Sequence, residues 1–424
     1  MSWKIVNHLE ERNGNLHIGG IDANTLAREY GTPLYVYNGD RILGNYRGIR
    51  DAMQKHADRE VRVMYAVKAN STLAVLKMLA EDGAHADVVS PDEARISIDA
   101  GFTPDKIIFT GTSVSNKDLE AITELGIRIN IDSFSQMRRL AKLGKFKVSI
   151  RWNPGEGVGH HEHVITAGKL VKFGIPEEKI VRAFKEAVDL GLEPVGLHQH
   201  IGSGWMDEEV DIFLTTVDKT LQVAMDATAI IGHDLEFVDF GGGPGIPYFT
   251  TEMIFPLEKY AGGICTKVSE SGLNFKAIAI EPGRYIVGDA GVLLTEINTV
   301  EDKGVPMLGV DAGFNTLIRP AMYDAIHTII ICNKADRPAE REYMVAGNLC
   351  ESGDVFHNLN KLRGLPVPDE GDILAIIDAG AYGFSMASEY NMRGMPAEVL
   401  IRDGIPKLIR ERRGYEEMKR GQVE

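Results

Sequence analysis

Apolar and polar positions along the 424-residue chain repeat in two alternating periods. Short β-branched or apolar runs recur at VRVMYAV, HADVV, KIIFTG, RINID, KVSIRW, PVGLHQHI, LEFVDF and KAIAIE. Most precede a stretch with apolar residues every three or four positions, such as STLAVLKMLAEDG or PEEKIVRAFKEAVDLG. The first kind of run suits a strand buried on both faces, the second an amphipathic helix. Eight strands alternating with helices over roughly 250 residues predict a closed, parallel (β/α)8 TIM-like barrel, with a doubly wound open sheet as the competing topology. From about Gly291 the helices drop out, and strand-like runs follow one another: VLLTEINTVED, PMLGVDAG, AIHTIIICN, REYMVAG, DILAIID and AEVLI. The expected fold class is therefore α/β, a barrel at residues 35–288 followed by a mostly-β domain at 289–424. KIVNHL and NLHIGG, within residues 1–34, are assigned to that β domain, and RERRGYEEMKRGQVE reads as a solvated mixed-charge helix or fray.

Length supports two domains, since a single core stops growing before 424 residues. A formal net charge of −15 with no basic block argues against nucleic acid as a partner and for a small molecule. The opening MSWKIVNHLEERNGN lacks the apolar core of a signal peptide, and no apolar run reaches membrane-spanning length. A cytoplasmic protein without a membrane partner is expected. Cys265, Cys332 and Cys350 are odd in number and far apart, which suits neither a disulfide framework nor a zinc site.

Active sites of such barrels lie at the C-terminal ends of the strands. The unusual residues fall there in turn: Lys68, Asp87 with Ser90, Arg151 with Asn153, His198 with His200 and Ser203, Gly241 to Gly245, and Glu281 with Arg284. The glycines of DFGGGPGIPY follow the seventh strand, where backbone N–H groups can converge on a phosphate. A plain tight turn is the alternative. A dinucleotide fingerprint is not, because Ile246 stands where the last glycine would be and Pro247 interrupts the helix start. A strand-end lysine beside a phosphate loop and a carboxylate suggests a Schiff base to pyridoxal phosphate, with Glu281 meeting the ring nitrogen. The structural alternative is that Lys68 only pairs with Asp87 across the barrel.

The ordered motifs YAVKAN, HQHIGS, GGGPGIPY, EPGR, CESGD and GAYG resemble the fold-type III pyridoxal-phosphate decarboxylases, and the similarity runs from TPLYVYN at residue 32 to PAEVLI ending at 401. The resemblance implies a barrel followed by a β domain, pyridoxal 5'-phosphate as cofactor, and a head-to-tail homodimer with shared active sites. It implies that Lys68 carries the cofactor near Asp87, that His200 stacks on the ring, and that Ser203, Gly242, Gly243 and Tyr382 hold the phosphate. Glu281 would meet the ring nitrogen, and Arg284, Arg319 and Tyr323 would bind a carboxylate at the far end of the substrate. Cys350 and Glu351 would come from the neighbouring subunit, the cysteine as proton donor and the glutamate as ligand of the distal ammonium.

A substrate with a second amino-acid head needs a fixed cation for its far carboxylate and a fixed anion for its far ammonium, and arginine offers the planar fork that lysine lacks. On that resemblance, Arg319 and Glu351 would supply the pair. The implied reaction is decarboxylation of meso-2,6-diaminopimelate at its D centre to L-lysine. Two departures from the family pattern, Gly347 with Asn348 before CES and NMRGMP at residues 391–396, keep a D-diamino acid such as D-ornithine or D-lysine in view. A racemase of this fold is disfavoured by Glu281 with Cys350, since such racemases usually place an arginine at the ring nitrogen and use a tyrosine as second base. A non-catalytic carrier is disfavoured by Lys68, Cys350 and a full second domain. No metal is expected: His198 with His200 lacks obvious further ligands, and His160, His161 and His163 in GHHEHV form a weak signal.

Overall fold

The computed structural model describes residues 8–155, 157, 171–248, 254–356 and 362–423. The histidines of GHHEHV and residues 4–7 of KIVNHL lie outside this set. By contact the chain divides into two compact units, one of Asn45–Ile246 with Met253–Ile286, the other of Met1–Gly44, Pro247–Glu252 and Val287–Glu424.

All eight predicted barrel strands form: Glu60–Ala66, His85–Val88, Ile107–Phe109, Arg128–Ile131, Lys147–Asn153, Glu193–Gln199, Phe237–Asp239 and Ala277–Ile280. Each pairs in parallel with the next, and the eighth pairs with the first through Ile278↔Val61, so the sheet closes and the open-sheet alternative falls away. Closure explains why these strands read as continuous apolar runs, because one face meets the helices and the other the barrel interior. The first strand becomes buried toward its C-terminal end, and the eighth is buried throughout. Inside, Met64, Ile108, Val195, Phe237, Ala277 and Ala279 pack as a plug. Gly196 makes room for it, since a Cβ there would strike the Phe237 ring.

The helices start where local chemistry says they should. Ser90 caps Pro91–Asp99 by accepting the Glu93 N–H at 3.1 Å, with proline at the first helical position. Ser115 and Asp118 form a reciprocal capping box on Asn116–Glu124. No described helix is long and apolar enough to cross a membrane.

In the other unit the long strand Gly291–Asp302 is the hub. It pairs antiparallel with Leu34–Asn38, Pro306–Val310 and Ile373–Ile376, and Leu34–Asn38 pairs in parallel with Ala397–Arg402. The segment LYVYN thus belongs to this mixed sheet. Asn15–Ile18 forms a separate three-stranded sheet with Leu9–Arg12 and Ile21–Asp22, whose Leu9, Leu16 and Ile18 share a core with Val36, Leu294 and Val399. The terminal Tyr415–Lys419 is an exposed helical turn, as its mixed charge suggests.

A cavity of about 490 Å³ opens at the N-terminal ends of the barrel strands, the end opposite the candidate chemistry. Three of the cations lining it are paired, Arg62 with Glu60 at 2.8 Å, and Arg128 and Lys147 with Glu236 at 3.1 and 2.6 Å. His85 lines it, and burial, reinforced by the Arg62 and Lys106 charges, pushes its pKa from 6.5 down to about 4. A depressed histidine stabilises the fold above the unfolded value, and that contribution is lost as pH falls through the folded one. Stability measured by denaturant should therefore fall by up to ~3 kcal/mol between pH 6.5 and 4 on this account, and His85→Gln should remove that part of the slope.

Candidate active site

Lys68 sits in a short 3-10 turn, Val67–Ala69, where the first barrel strand ends. Its Nζ donates to Asp87 Oδ2 at 2.8 Å, so the pairing considered from sequence exists. It does not hide the amine, because the Lys68 side chain is 37% exposed while Asp87 is fully buried. Burial and the charge of Glu281 push the Asp87 carboxyl up, against the pull of Lys68.

Glu281 lies just past the eighth strand and is buried. His198, at the end of the sixth strand, donates from Nε2 to Glu281 Oε2 at 3.1 Å. Burial would push the Glu281 carboxyl up, but His198 and Lys68 outweigh it and hold the group below the usual carboxylate range. Glu281 is thus an ionised carboxylate in a dry site. Its Oε1 has no hydrogen-bond partner among the described residues. Arg151, from the fifth strand, lies over the Phe173 ring at 4.7 Å and faces Asp132, Glu281, Asp87 and Asp239.

His200 follows the same strand as His198. Burial, then the Lys68 and Arg151 charges, hold its imidazole well below 6.5 and therefore neutral. The Gly242 N–H donates to His200 Nδ1 at 3.1 Å, which leaves the ring proton on Nε2. The Gly241 N–H donates to Asp239 Oδ1 at 2.9 Å. Two N–H groups of the glycine loop thus turn inward to fix the loop, and the glycines serve closeness as much as donation. A Cβ on Gly242 would collide with the Glu281 carbonyl oxygen, and one on Gly243 with the Trp205 indole. Ser203 lies beside this loop, with the buried Arg284 Nη2 at 3.5 Å from its Oγ.

The other unit carries the remaining predicted residues. Arg319 opens the helix Arg319–Tyr323 and is 1% exposed. Its Nη1 donates to His327 Nε2 at 3.0 Å, and its guanidinium lies 4.8 Å from the Tyr248 ring centre. His327 can accept there because its Nδ1 proton goes to the Ile377 carbonyl at 2.9 Å. Tyr323 is half-buried, and Tyr382 is a half-buried residue at φ 57°. Cys350 and Glu351 are exposed, whereas Cys265 and Cys332 are buried, which raises both thiols. The two segments that depart from the family pattern bind each other: the Cys350 N–H donates to Asn391 Oδ1 at 2.7 Å, and Arg393 donates to the Asn348 carbonyl at 3.2 Å.

Sequence reasoning gave no working role to His198, Asp239, Trp205, His327 or Asn391. His198 stood out beside His200 at a strand end and Asn391 lies in NMRGMP, and Asp239 stands two residues before Gly241 in DFGGG, but Trp205 and His327 carried no local signal.

An accessible amine, a buried carboxylate with an open oxygen, a neutral imidazole and a glycine loop beside a hydroxyl and an arginine match the aldehyde, ring nitrogen, ring face and phosphate of pyridoxal phosphate. The fold and site define the class of pyridoxal-dependent decarboxylases. The family model described as "Pyridoxal-dependent decarboxylase, pyridoxal binding domain" matches residues 43–288. A diaminopimelate decarboxylase of Methanothermobacter thermautotrophicus is 47% identical over 416 residues, covering 96% of each chain. The structure of diaminopimelate decarboxylase from Methanocaldococcus jannaschii in complex with L-lysine superposes with a TM-score of 0.91 at 34% identity, covering 98% of each chain. That of Helicobacter pylori, also complexed with L-lysine, gives 0.85 at 33% identity, covering 93% of this chain and 98% of its own. The chain belongs to the diaminopimelate decarboxylase family, and its cofactor is pyridoxal 5'-phosphate.

Trp205 is packed against Phe213, Phe255 and Tyr260, with ring centres 4.8 to 5.8 Å away, so it cannot yield to a methyl group on Gly243. At φ 127° that glycine also holds a backbone conformation unfavourable to other residues. Gly243→Ala should cost roughly 2–4 kcal/mol of stability, read from denaturant unfolding.

Proposed function

We propose that this protein decarboxylates meso-2,6-diaminopimelate at its D centre, giving L-lysine and carbon dioxide, as a cytoplasmic homodimer. The observation that carries the reading is Glu281, buried yet held ionised by His198 and Lys68. Bound pyridoxal phosphate supplies a ring whose nitrogen, protonated against such a carboxylate, accepts the electron pair left when the bond from Cα to the carboxylate breaks. A neutral or cationic partner there would weaken that capacity, which argues against a racemase.

Lys68 is the residue assigned to hold the cofactor covalently, and Asp87 keeps its amine in place. His200 covers one ring face with a neutral imidazole. Ser203 and Gly243, with Tyr382, hold the phosphate, and Gly242 lets the backbone approach it. Arg284, Arg319 and Tyr323 take the far carboxylate, with His327 orienting the Arg319 fork. Cys350 of the partner subunit delivers the proton that replaces carbon dioxide at Cα, and Glu351 of the partner subunit takes the distal ammonium. The unit built from the two ends of the chain thus serves the other subunit's reaction.

Purified protein supplied with meso-diaminopimelate, D-lysine, D-ornithine or L-lysine should release carbon dioxide and L-lysine from the first alone, and Lys68→Ala should abolish the release. Preferred turnover of D-lysine or D-ornithine would move the assignment to a simple D-diamino acid. Arg319→Met should lower kcat/KM for diaminopimelate by roughly 2–4 kcal/mol while leaving cofactor absorbance intact. Unchanged activity would place the far carboxylate elsewhere. Mixing inactive Lys68→Ala and Cys350→Ala chains should restore about a quarter of the sites, because half of randomly formed dimers are mixed and one site in each carries both native residues. No recovery, with subunit exchange shown by mass spectrometry, would mean that each site is built within one chain.

A further inference from the structure

Asp239 closes the seventh barrel strand and is paired in register with His198 on one side and Ala279 on the other. One ligand-type atom from each of His198, Asp239 and Glu281 lies within 4.8 Å of the others, and all three residues are buried. Asp239 Oδ1 accepts the Gly241 N–H, while its Oδ2 has no partner among the described residues, and neither has Glu281 Oε1. Two carboxylates in one dry space do not both ionise, and a buried oxygen without a partner is costly. A single proton between them answers both difficulties.

The surroundings decide which residue carries that proton. Glu281 receives the His198 hydrogen bond and faces the Lys68 ammonium. Asp239 receives one backbone N–H and faces the carboxylates Glu281 and Asp87; Tyr260 is also close. Arg151 attracts Asp239 but is shared with Asp132, Asp87 and Glu281. Burial first, then the charge of Glu281, push the Asp239 carboxyl well above the usual range. We propose that Asp239 is a positioning residue that carries a proton in the working enzyme and donates it as a hydrogen bond to Glu281, tying that carboxylate to the glycine loop through Gly241. This rests on the reading of Glu281 as the partner of the ring nitrogen. A carboxylate oxygen has room for two donors, so the bond from Asp239 does not compete with the cofactor's.

The test uses holoenzyme of Asp239→Asn, Asp239→Leu and Glu281→Gln. Asparagine keeps one acceptor for Gly241 and one donor for Glu281, so Asp239→Asn should hold the cofactor Kd within about threefold and leave the pH profile of cofactor absorbance unmoved. Leucine removes the donor, and Asp239→Leu should raise Kd about tenfold or more and shift that profile. Should the leucine variant not fold, infrared spectra decide. The unmodified holoenzyme should show the carbonyl band of a protonated carboxyl from about pH 6 to about pH 9, and Asp239→Asn should lose it. Asparagine behaving like leucine, or no such band, would overturn the inference. So would a stoichiometric divalent ion in the purified protein, because these three atoms could also close around a cation. If Glu281→Gln leaves Kd and spectrum unchanged, the underlying reading of Glu281 fails instead.

Discussion

The site depends on keeping a carboxylate charged where water cannot reach it. Glu281 is buried, and desolvation alone would neutralise it. The His198 hydrogen bond and the charge of Lys68 reverse that outcome. Lys68 comes from the end of the first barrel strand, His198 from the sixth and Glu281 from the eighth, so the charge state of one side chain requires a closed sheet. A buried charge of this kind adds little to stability and is kept for the chemistry it permits. Part of that cost falls on His198, which is itself fully enclosed.

Close approach is the second constraint. Gly242 brings the loop against the Glu281 backbone, and Gly243 brings it against Trp205, at distances that exclude any side chain. Aromatic packing behind Trp205 makes the wall rigid, and Asp239 and His200 pin the loop through its N–H groups. At the other end of the barrel an apolar plug closes the interior, and Arg62 and Arg128 beside the cavity are paired with Glu60 and Glu236. In the second unit, Arg319 shows the same economy: a buried guanidinium is oriented by a histidine whose own tautomer is set by a backbone carbonyl.

Much of this was legible in the sequence because strand and helix periods are local properties of the chain. The eight barrel strands, the lysine at the end of YAVKAN, the glycine loop after the seventh strand and the EPGR glutamate could be placed by counting periods. Local pattern was weaker where partners are distant in sequence. LYVYN pairs with residues near 292 and 399, and nothing in its own residues tells an edge of the barrel from the centre of another sheet. Asn15–Ile18 pairs with its near neighbours Leu9–Arg12 and Ile21–Asp22, and only the core it shares with Val36, Leu294 and Val399 ties it to the β domain.

What the sequence determined alone was therefore the inventory: which side chains stand at strand ends, which turns need glycine, and which family the ordered motifs resemble. The tertiary structure decided how those groups act on one another. Whether His198 is a metal ligand or a hydrogen-bond donor, whether Lys68 meets Asp87, and how Asp239 and Glu281 divide one proton all depend on contacts between residues some twenty to more than eighty positions apart. A protonation state belongs to a local field rather than to a residue type, and that field exists only once the strands have closed and the water has been excluded.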